Sequence, residues 1–445
     1  MKEHILSRRD FLRMSGVMGV ALGLAACSPQ AAQVVEEQPT TAPAEQAEEP
    51  VGEAPASEPI EVIFWHNTGE APIQERLDNL AARFADENPG LTATCEYMGT
   101  GREVMEKVIT SIAGDEPPHL SFGYPHWAVK FLEDGATVSL SPYIDGDAEF
   151  DKNDHQDATW IPATWKGQIA AMPQTYHPYI LYYNTEAFEE VGATIPKDWE
   201  ELYDTAKLLT RDTDGDGQLD RWGLDLAWDD AWHWLVFHRN NGGEFINEAR
   251  TEFLWNTPEG IEAMEFVDSL FNEIKAVPEG SVEQGFQMGL IGMTMAGPWR
   301  IEGYLAGNAP VDVALIPWKK RPLAEANVDM VIMYETSQAE QDAAWEFLKL
   351  FVGPDFQMSV AQQGYYYPLL KSVAADAGYK SWLEETPIMK HLLELEGQWT
   401  TMEATQAGEE PIDILQREME LALRGEKGIQ AALDTAVAES NVLIQ

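Results

Sequence analysis

The sequence predicts an α/β protein made of two folded units, each with a mostly parallel sheet flanked by helices. Strand-like and helix-like patterns alternate from residue 60 onward, and the alternation begins again near residue 180. The stretch from residue 59 to residue 445 is also longer than a single hydrophobic core normally organises. In a β-α-β order the strands run parallel, and the ligand crevice lies beyond their carboxyl ends.

The first unit is predicted from three strands and three helices. Residues 60–65 are rich in β-branched and aromatic side chains, and apolar residues then recur at helical spacing until Pro89 and Gly90 end the helix. Alternation over residues 91–97 predicts the second strand. The remaining elements are a helix striped by Val104, Val108 and Ile112, a strand at residues 120–122, and an amphipathic helix at residues 128–133.

The second unit repeats this alternation. Its predicted elements are a strand at residues 180–183, a helix striped by Leu202, Ala206 and Leu209, and a helix that begins at Thr257 and Pro258. Threonine before a first-turn proline is a typical helix start, because the threonine side chain caps free N–H groups. In the first unit, the loops 65–71 and 123–127 follow strands and are therefore expected at the ligand crevice.

Residues 1–26 are predicted to be a twin-arginine lipoprotein signal peptide. Arg8 and Arg9 precede an apolar run that is too short to cross a ~30 Å hydrocarbon core. The run ends in Leu-Ala-Ala-Cys at Cys27, which resembles the lipobox of bacterial lipoproteins. We therefore expect an exported protein, held by a lipid on Cys27 at the outer face of the cytoplasmic membrane or in the periplasm.

Residues 27–58 are predicted to be the lipidated cysteine and a disordered acidic linker. The segment is dominated by Ala, Gln, Glu and Pro and contains no Lys or Arg, so it cannot bury enough apolar surface to become ordered. The chain has two cysteines, Cys27 and Cys95, and no disulfide is expected. Cys95, in a predicted strand, is interpreted as a small core hydrophobe.

The formal net charge of −46 disfavours one class of partner. Such a field repels nucleic acid and is indifferent to neutral solutes such as sugars. The chain also has no Gly-x-Ser-x-Gly, no His-Glu-x-x-His and no phosphate-binding loop. We therefore predict a monomeric binding protein with no nucleic-acid partner and no enzymatic activity.

An acidic loop in the second unit resembles a calcium-binding loop. Its oxygen-bearing residues are Asp212, Asp214, Asp216, Gln218 and Asp220. A glycine stands at the sixth position, but Gly223 occupies the twelfth, where such loops carry glutamate. The two interpretations are a structural calcium ion far from the ligand and a solvated Asp-Gly turn. No cofactor is expected to be required for function.

Several segments in a fixed order carry a family resemblance. They are Phe64–His66, Phe84–Gly90, Leu181–Asn184, Gly292–Trp299 and Ala343–Leu348. The most specific is Gly292–Trp299, which reads Gly-Met-Thr-Met-Ala-Gly-Pro-Trp. From Ile60 to the C-terminus, the chain resembles the ABC-importer extracellular solute-binding protein family 1, the maltose-binding-protein-like sugar-binding lipoproteins.

The resemblance implies a two-lobed periplasmic-binding-protein clamshell whose lobes are joined by hinge strands. The implied N-terminal lobe comprises residues 59–173 and 315–355, and the C-terminal lobe comprises residues 174–314 and 356–445. The chain is expected to cross between the lobes near residues 172–176, 311–317 and 353–359. A ligand would bind between the lobes and favour their closure.

A sugar receptor needs aromatic plates against the ring faces and polar groups around the hydroxyls. The chain has 15 tryptophans, and Trp299 matches the sugar-stacking tryptophan of the family, with packing at the hinge as the alternative. Asp230 and Trp232 resemble the family's second-lobe ligand pair, although Trp232 could also belong to the packed face of a helix. Tyr176 and His177 fall where the family places a polar ligand contact.

The resemblance fails at one part of the site. His126 and Trp127 stand where the family has an acid and an arginine, which leaves the identity of the sugar open. The predicted ligand-binding residues are His66, Asn67, Tyr124, His126, Trp127, Tyr176, His177, Asp230, Trp232, Trp299, Arg300, Tyr365 and Tyr366. Isolated histidines such as His66 are more often core or loop residues than ligands.

The function implied by the resemblance is that of a membrane-tethered substrate-binding component of an ABC importer. It would capture a sugar, of the oligosaccharide class, and deliver it to the membrane permease subunits. Three alternatives stay open at this point: an extracellular carbohydrate-active enzyme, a protein of the same fold that binds a polyol or glycerophosphodiester, and a sensory lipoprotein.

Overall fold

The computed structural model describes residues 59–69, 71–212, 215–226, 230–280, 282, 284–402 and 404–444. All of these residues belong to one compact unit of the chain. The predicted signal peptide, the lipidation at Cys27 and the acidic linker lie outside the described residues. Within the described part of the chain, no helix combines the length and the apolar character needed to cross a membrane.

Strands and helices alternate over residues 60–133, and further along the described chain they also occur in runs of one kind. The strands are β1 (Ile60–His66), β2 (Leu91–Tyr97), β3 (Leu120–Gly123), β4 (Thr164–Trp165), β5 (Gln168–Ile169), β6 (Met172–Pro178), β7 (Ile180–Asn184), β8 (Met293–Ala296), β9 (Val311–Ala314), β10 (Ala324–Met333) and β11 (Trp399–Thr400). The helices are α1 (Ala71–Glu87), α2 (Gly101–Ala113), α3 (Pro125–Glu133), α4 (Ser141–Gly146), α5 (Trp160–Ala163), α6 (Thr185–Val191), α7 (Trp199–Leu209), α8 (Ala231–Asn240), α9 (Pro258–Asp268), α10 (Ile301–Ala306), α11 (Gln338–Phe351), α12 (Pro354–Gln363), α13 (Lys371–Ala375), α14 (Ala377–Glu385), α15 (Pro387–Glu394), α16 (Glu410–Leu423) and α17 (Ile429–Val442).

The first sheet has the strand order β11-β10-β3-β1-β2, and β6 also pairs with β10. β1 lies between β2 and β3 and runs parallel to both, as the alternation of strands and helices predicts. β10 runs antiparallel to β3 and to β6. The first sheet is therefore mixed: β3, β1 and β2 are parallel at one end, and β10 and β11 are parallel to each other at the other end.

The second sheet corrects one expectation about strand direction. β7 lies between β8 and β9 and is antiparallel to both, so this sheet is not mostly parallel as predicted. Apolar periodicity identifies a strand but says nothing about its direction. β8 and β9 are far from β7 along the chain, and the sequence pattern does not determine how the intervening segments return.

The two largest hydrophobic cores define two lobes, which confirms the predicted two-lobed fold. The first core draws on residues 62–176 and 326–369 and on Ala404, and the second on residues 181–316 and 407–444. The chain passes from the first sheet to the second between β6 and β7, and it returns between β9 and β10. These two connections form the hinge region, and β6 and β10, which adjoin it in the first sheet, are its hinge strands.

The segment after α11 stays with the first lobe for longer than the resemblance implies. In α12, the Asp355 carboxylate pairs with Arg83 at 3.0 Å, and Gln357 Nε2 donates to the carbonyl of Gln174 at 3.3 Å. Tyr367, Leu369 and Ala404 also belong to the first core, although they lie beyond the crossing predicted at residues 353–359.

Capping residues place the helices that surround the cleft. Thr100 and Glu103 form a capping box at the start of α2, where each side chain bonds a free backbone N–H. Thr257 occupies the N-cap of α9 but forms no capping hydrogen bond, which corrects its predicted role. Cys95, a free thiol in β2, packs half-buried against the first core, and burial raises its pKa to about 12.

Candidate functional site

A cavity of about 560 Å³ lies between the two hydrophobic cores. This volume is within the range of small-molecule sites, ~300–1,000 Å³. Its polar and aromatic lining includes Asn67, Thr68, Arg102, Tyr124, His126, Trp127, His177, Tyr179, Trp232, Trp299, Asn327, Asp329, Tyr366, Thr401 and Glu409. The lining comes from both lobes and from the hinge strand β10, so movement of the lobes would open or close the cavity.

Three aromatic rings span the cavity from the first lobe to the second. The ring of Tyr124 stacks on His126 with centroids 5.7 Å apart, and His126 stacks on Trp232 at 6.3 Å. Tyr124 is the N-cap of α3, and Pro125 fixes the first turn of that helix. Trp232 lies in the first turn of α8, where the Asp230 carboxylate accepts its backbone N–H at 2.9 Å. Helix starts therefore hold all three rings in place.

The carboxylate of Glu409 contacts the imidazole of His126 across the same cavity. The two side chains are 17% and 13% exposed. Burial acts to raise the pKa of Glu409, but His126 and Arg102 outweigh burial and hold this pKa below its ordinary value. One helical turn further on, Asp413 pairs with Arg102 at 2.7 Å. The start of α16 thus presents two carboxylates to the first lobe.

Trp299 forms the second-lobe face of the cavity. It follows β8 through Gly297, and a β-carbon at position 297 would lie 1.9 Å from the Trp299 ring, so a larger residue there would displace the ring. The Trp299 ring meets the edges of His177 and Tyr179 with centroid distances of 5.1 and 5.8 Å. With 40% of its surface exposed, Trp299 presents a large aromatic face without being part of a core.

Polar groups on the hinge strands complete the site. Thr175 Oγ1 donates to Asp329 Oδ2 at 2.8 Å, and His177 Nε2 lies 3.4 Å from the same oxygen. His177 is buried and its Nδ1 has no hydrogen-bond partner within the described part of the chain, and the same holds for Thr401 Oγ1. A bound ligand with hydroxyl groups would satisfy both atoms, because a hydroxyl donates and accepts.

The structure brings many of the predicted ligand residues together. The cavity is lined by Asn67, Tyr124, His126, Trp127, His177, Trp232, Trp299 and Tyr366. They lie at strand ends, at helix starts and in loops, which are the positions that the α/β fold turns toward its crevice.

Five predicted residues do not line the cavity: His66, Tyr176, Asp230, Arg300 and Tyr365. His66 is buried against Phe64 and Tyr97, and burial lowers its pKa to about 4. Tyr176 packs edge-on against Tyr367 and Trp399. Each of the two faces away from the crevice because neighbouring residues of a strand point to opposite sides of the sheet.

The other three have different surroundings. Asp230 caps α8, and its carboxylate oxygen accepts the backbone N–H of Trp232. Arg300 is exposed, and Tyr365 packs against Trp382 with centroids 5.9 Å apart. Trp232 and Trp299 therefore line the cavity, whereas Asp230 and Arg300, which were predicted beside them, do not.

Sequence reasoning missed Arg102, Asn327, Asp329, Thr401 and Glu409. These residues come from distant segments and belong to no local motif, so only the fold brings them together. One signal was available for Glu409: two glutamates before Pro411 are a typical helix start, and residues there face the open end of a helix.

The acidic loop is described only in part, because residues 213 and 214 lie outside the described residues. The Asp212 carboxylate accepts the backbone N–H groups of Gly215 and Gly217 at 2.6 and 2.9 Å, which closes the turn. Among the residues with described positions, no group of three or more His, Cys, Asp or Glu side chains is placed to hold a metal. Calcium binding by the loop stays a prediction.

Comparison with known sequences gives two findings. A family model of bacterial extracellular solute-binding proteins matches residues 79–387. The sn-glycerol-3-phosphate-binding periplasmic protein UgpB of Escherichia coli K12 is 22% identical over 424 residues, which cover 86% of this chain and 92% of the relative. The relative from Escherichia coli O1:K1 is 22% identical over 413 residues, with the same coverage.

Comparison with solved structures shows the fold. An ABC substrate-binding protein from Listeria monocytogenes in complex with cycloalternan superposes with a TM-score of 0.77 at 19% identity, covering 86% of this chain and 98% of that one. The maltose/maltodextrin-binding domain MalE from Bdellovibrio bacteriovorus, bound to maltotriose, gives 0.76 at 21% identity, covering 86% and 100%. The cyclic alpha-maltosyl-1,6-maltose binding protein from Arthrobacter globiformis gives 0.71 at 24%, covering 87% and 99%.

Proposed function

The chain belongs to the bacterial extracellular solute-binding proteins, and we propose that it captures an oligosaccharide for an ABC importer. In this proposal the sugar binds one lobe first and contacts the other lobe only in the closed form. Binding therefore shifts the open–closed equilibrium toward closure, because the ligand has more contacts there. Permease subunits in the membrane would recognise the closed form and receive the sugar unchanged.

One observation carries the proposal: aromatic faces from both lobes line the same cavity between polar side chains. Trp232 and Trp299 come from the second lobe, whereas Tyr124 and Trp127 come from the first. Aromatic faces cover the C–H surfaces of a sugar ring, and the polar groups between them can bond its hydroxyls. The oligosaccharides bound in the Listeria and Bdellovibrio structures support this ligand class.

The curated relatives bind a different solute, sn-glycerol 3-phosphate. The charges around the present cavity favour a neutral ligand instead. Asp329 and Glu409 line the cavity, and its arginine, Arg102, already pairs with Asp413. A phosphate group would meet two carboxylates and would have to compete for that arginine.

The proposal includes the predicted attachment to the membrane. A lipid on Cys27 and an acidic linker would tether the binding lobes to the outer face of the cytoplasmic membrane. The tethered protein would act as a monomer, and its partner would be the permease of the importer.

The test is a binding screen with purified protein. Maltose and mannose oligosaccharides and sn-glycerol 3-phosphate are titrated calorimetrically, and each mixture is then analysed by mass spectrometry. We expect one oligosaccharide series to bind and to be recovered intact. Binding of the glycerol phosphate alone would overturn the sugar proposal, and cleavage of an oligosaccharide would show an enzyme.

A further inference from the structure

A buried carboxylate lies where the two lobes join. Glu325 is the second residue of β10, directly after the connection that leads from β9 to β10, and its side chain is 3% exposed. Its backbone carbonyl accepts the N–H of Tyr179 at 2.7 Å. Tyr179 is the single residue between β6 and β7, so the two connections of the hinge region are hydrogen-bonded to each other beside Glu325.

The side chain of Glu325 contacts the second lobe, although its backbone belongs to the first sheet. Its carboxylate lies 3.3 Å from Nε of Arg239, in the last turn of α8. Arg321, in the connection from β9 to β10, donates to the backbone carbonyls of Arg239 and Gly243 at 2.9 and 3.1 Å. The junction between the lobes is thus built around the last turn of α8 and the start of β10.

Helix α8 links this junction to the cavity. Trp232, in its first turn, stacks on His126 of the first lobe with centroids 6.3 Å apart. Arg239, in its last turn, faces Glu325. Because a helix moves as a rigid element, an opening of the lobes that separates Trp232 from His126 also shifts Arg239 against β10. Such a shift would admit water to the Glu325 carboxylate.

The charge of Glu325 is poorly compensated while the lobes are together. Neither carboxylate oxygen has a hydrogen-bond partner within the described part of the chain, and the same holds for Arg239 Nε. The charged and titratable groups around the carboxylate are Arg239, Arg321, Glu244 and Tyr176. Burial outweighs the two arginines and raises the pKa of Glu325 to about 7. A hydrated glutamate has a pKa of about 4.3, because water stabilises its charge.

We propose that Glu325 couples sugar capture to proton uptake, because its carboxylate binds a proton when the lobes close and releases it when they open. This inference rests on the proposed function, in which the sugar drives closure. A group that binds its proton more tightly in the closed form favours closure at low pH. This contribution is lost as pH rises through the pKa of the closed form, so sugar affinity falls over the same interval.

The first test counts protons. The full-length protein is titrated calorimetrically with maltose and with mannose oligosaccharides, in two buffers that differ in their heat of ionisation. We expect uptake of about 0.9 proton per bound sugar at about pH 6, and binding about tenfold weaker at about pH 8. Binding without proton uptake overturns this inference alone, whereas absence of binding by both series overturns the proposed function as well.

Glu325→Gln assigns the proton to this residue. Glutamine has the shape of the protonated acid and cannot release a proton, so the variant should bind sugar about tenfold more tightly than the unmodified protein at about pH 8 and equally well at about pH 6. Loss of folding cannot produce such a gain. Glu244→Gln is the matched control, because Glu244 pairs with Arg239 at 2.7 Å but is half exposed, and it should keep the proton uptake.

The cavity itself holds another possible source of the proton. His126 and His177 line it, and histidine changes its charge between about pH 5 and about pH 8. Glu325→Gln leaves both histidines in place, so disappearance of the uptake in this variant supports the inference. Uptake that persists in Glu325→Gln but disappears in His126→Gln or His177→Gln would assign the proton to the cavity and overturn the inference.

Discussion

The Glu409 carboxylate contacts the His126 imidazole across the cleft, and each residue lies at the start of a helix in a different lobe. His126 is also stacked between Tyr124 and Trp232. This contact can exist only while the lobes are together. Removing one partner of a largely buried pair leaves the other charge uncompensated, which costs more than breaking an exposed pair.

We therefore expect Glu409→Gln to weaken ligand binding about tenfold, because the closed form loses a contact. The matched control is Asp413→Asn, one turn along α16, whose pair with Arg102 is about half exposed and should contribute little. Isothermal titration measures both variants. Equal affinities of Glu409→Gln and the unmodified protein would show that the contact does not stabilise closure.

Trp299→Ala should weaken binding at least tenfold, because it removes the second-lobe stacking face. It should leave thermal stability nearly unchanged, since 40% of the Trp299 surface is exposed. Trp255→Ala, at a fully buried position of the second core, is the contrasting variant and should cost about 3–5 kcal/mol of stability. Unaltered affinity of Trp299→Ala would remove this tryptophan from the site.

We expect Glu325 to make the stability of the protein depend on pH. It lies buried in β10, with its carboxylate 3.3 Å from Arg239, and burial raises its pKa to about 7 despite that arginine. Between about pH 4.3, the unfolded pKa, and the folded pKa, the native state binds a proton that the unfolded state has released. Stability should therefore fall as pH rises through this interval.

The stability of Glu325→Gln should not decline over this interval. Above about pH 7, its melting temperature should be several degrees higher than that of the unmodified protein. Glu244→Gln is the control, because Glu244 also pairs with Arg239 but is half exposed. Thermal melts across the pH range measure the effect. Parallel pH profiles of Glu325→Gln and the unmodified protein would contradict the raised pKa.

Cys27→Ser should move the protein from the membrane fraction to the soluble fraction of the cell, because the predicted lipid attaches to that sulfur. Immunoblots of separated fractions measure the shift, and Cys95→Ser is the control for loss of a thiol. If the Cys27→Ser protein stays in the membrane fraction, the predicted anchor is wrong.

Calcium should raise the melting temperature if the loop from Asp212 to Asp220 binds it, because a ligand that binds the native state stabilises that state. Asp216→Asn should remove the increase, whereas Asp204→Asn, in α7 outside the loop, should keep it. Addition of a chelator to the calcium-loaded protein reverses the effect. An unchanged melting temperature would show that the loop does not bind calcium.

Much of the first lobe was predictable because its signals are local. Apolar residues at helical spacing predicted α1 and α2, and Pro89 and Gly90 marked the helix end that precedes β2. Strand direction in the second lobe was not predictable, because the apolar pattern of β7 is the same whether its neighbours run parallel or antiparallel.

The residues of the candidate site also fall into those that local sequence predicts and those that only the fold brings together. Trp299 and His126 line the cavity as predicted because they follow strands or open helices, positions that local sequence reveals. Asp329 and Glu409 were missed because 80 residues of chain separate them, and only the packing of both lobes around the hinge brings them into one cavity. Tyr176 does not line the cavity, because the side on which a strand residue faces depends on its register, which follows from pairing with β10.

The most direct test of the account is small-angle X-ray scattering of the full chain with and without an oligosaccharide that binds in the calorimetric screen. The account predicts a smaller radius of gyration in the presence of that sugar, with Glu409→Gln requiring a higher concentration to reach the same value. A radius of gyration that does not change at saturating sugar would contradict capture by closure of the two lobes.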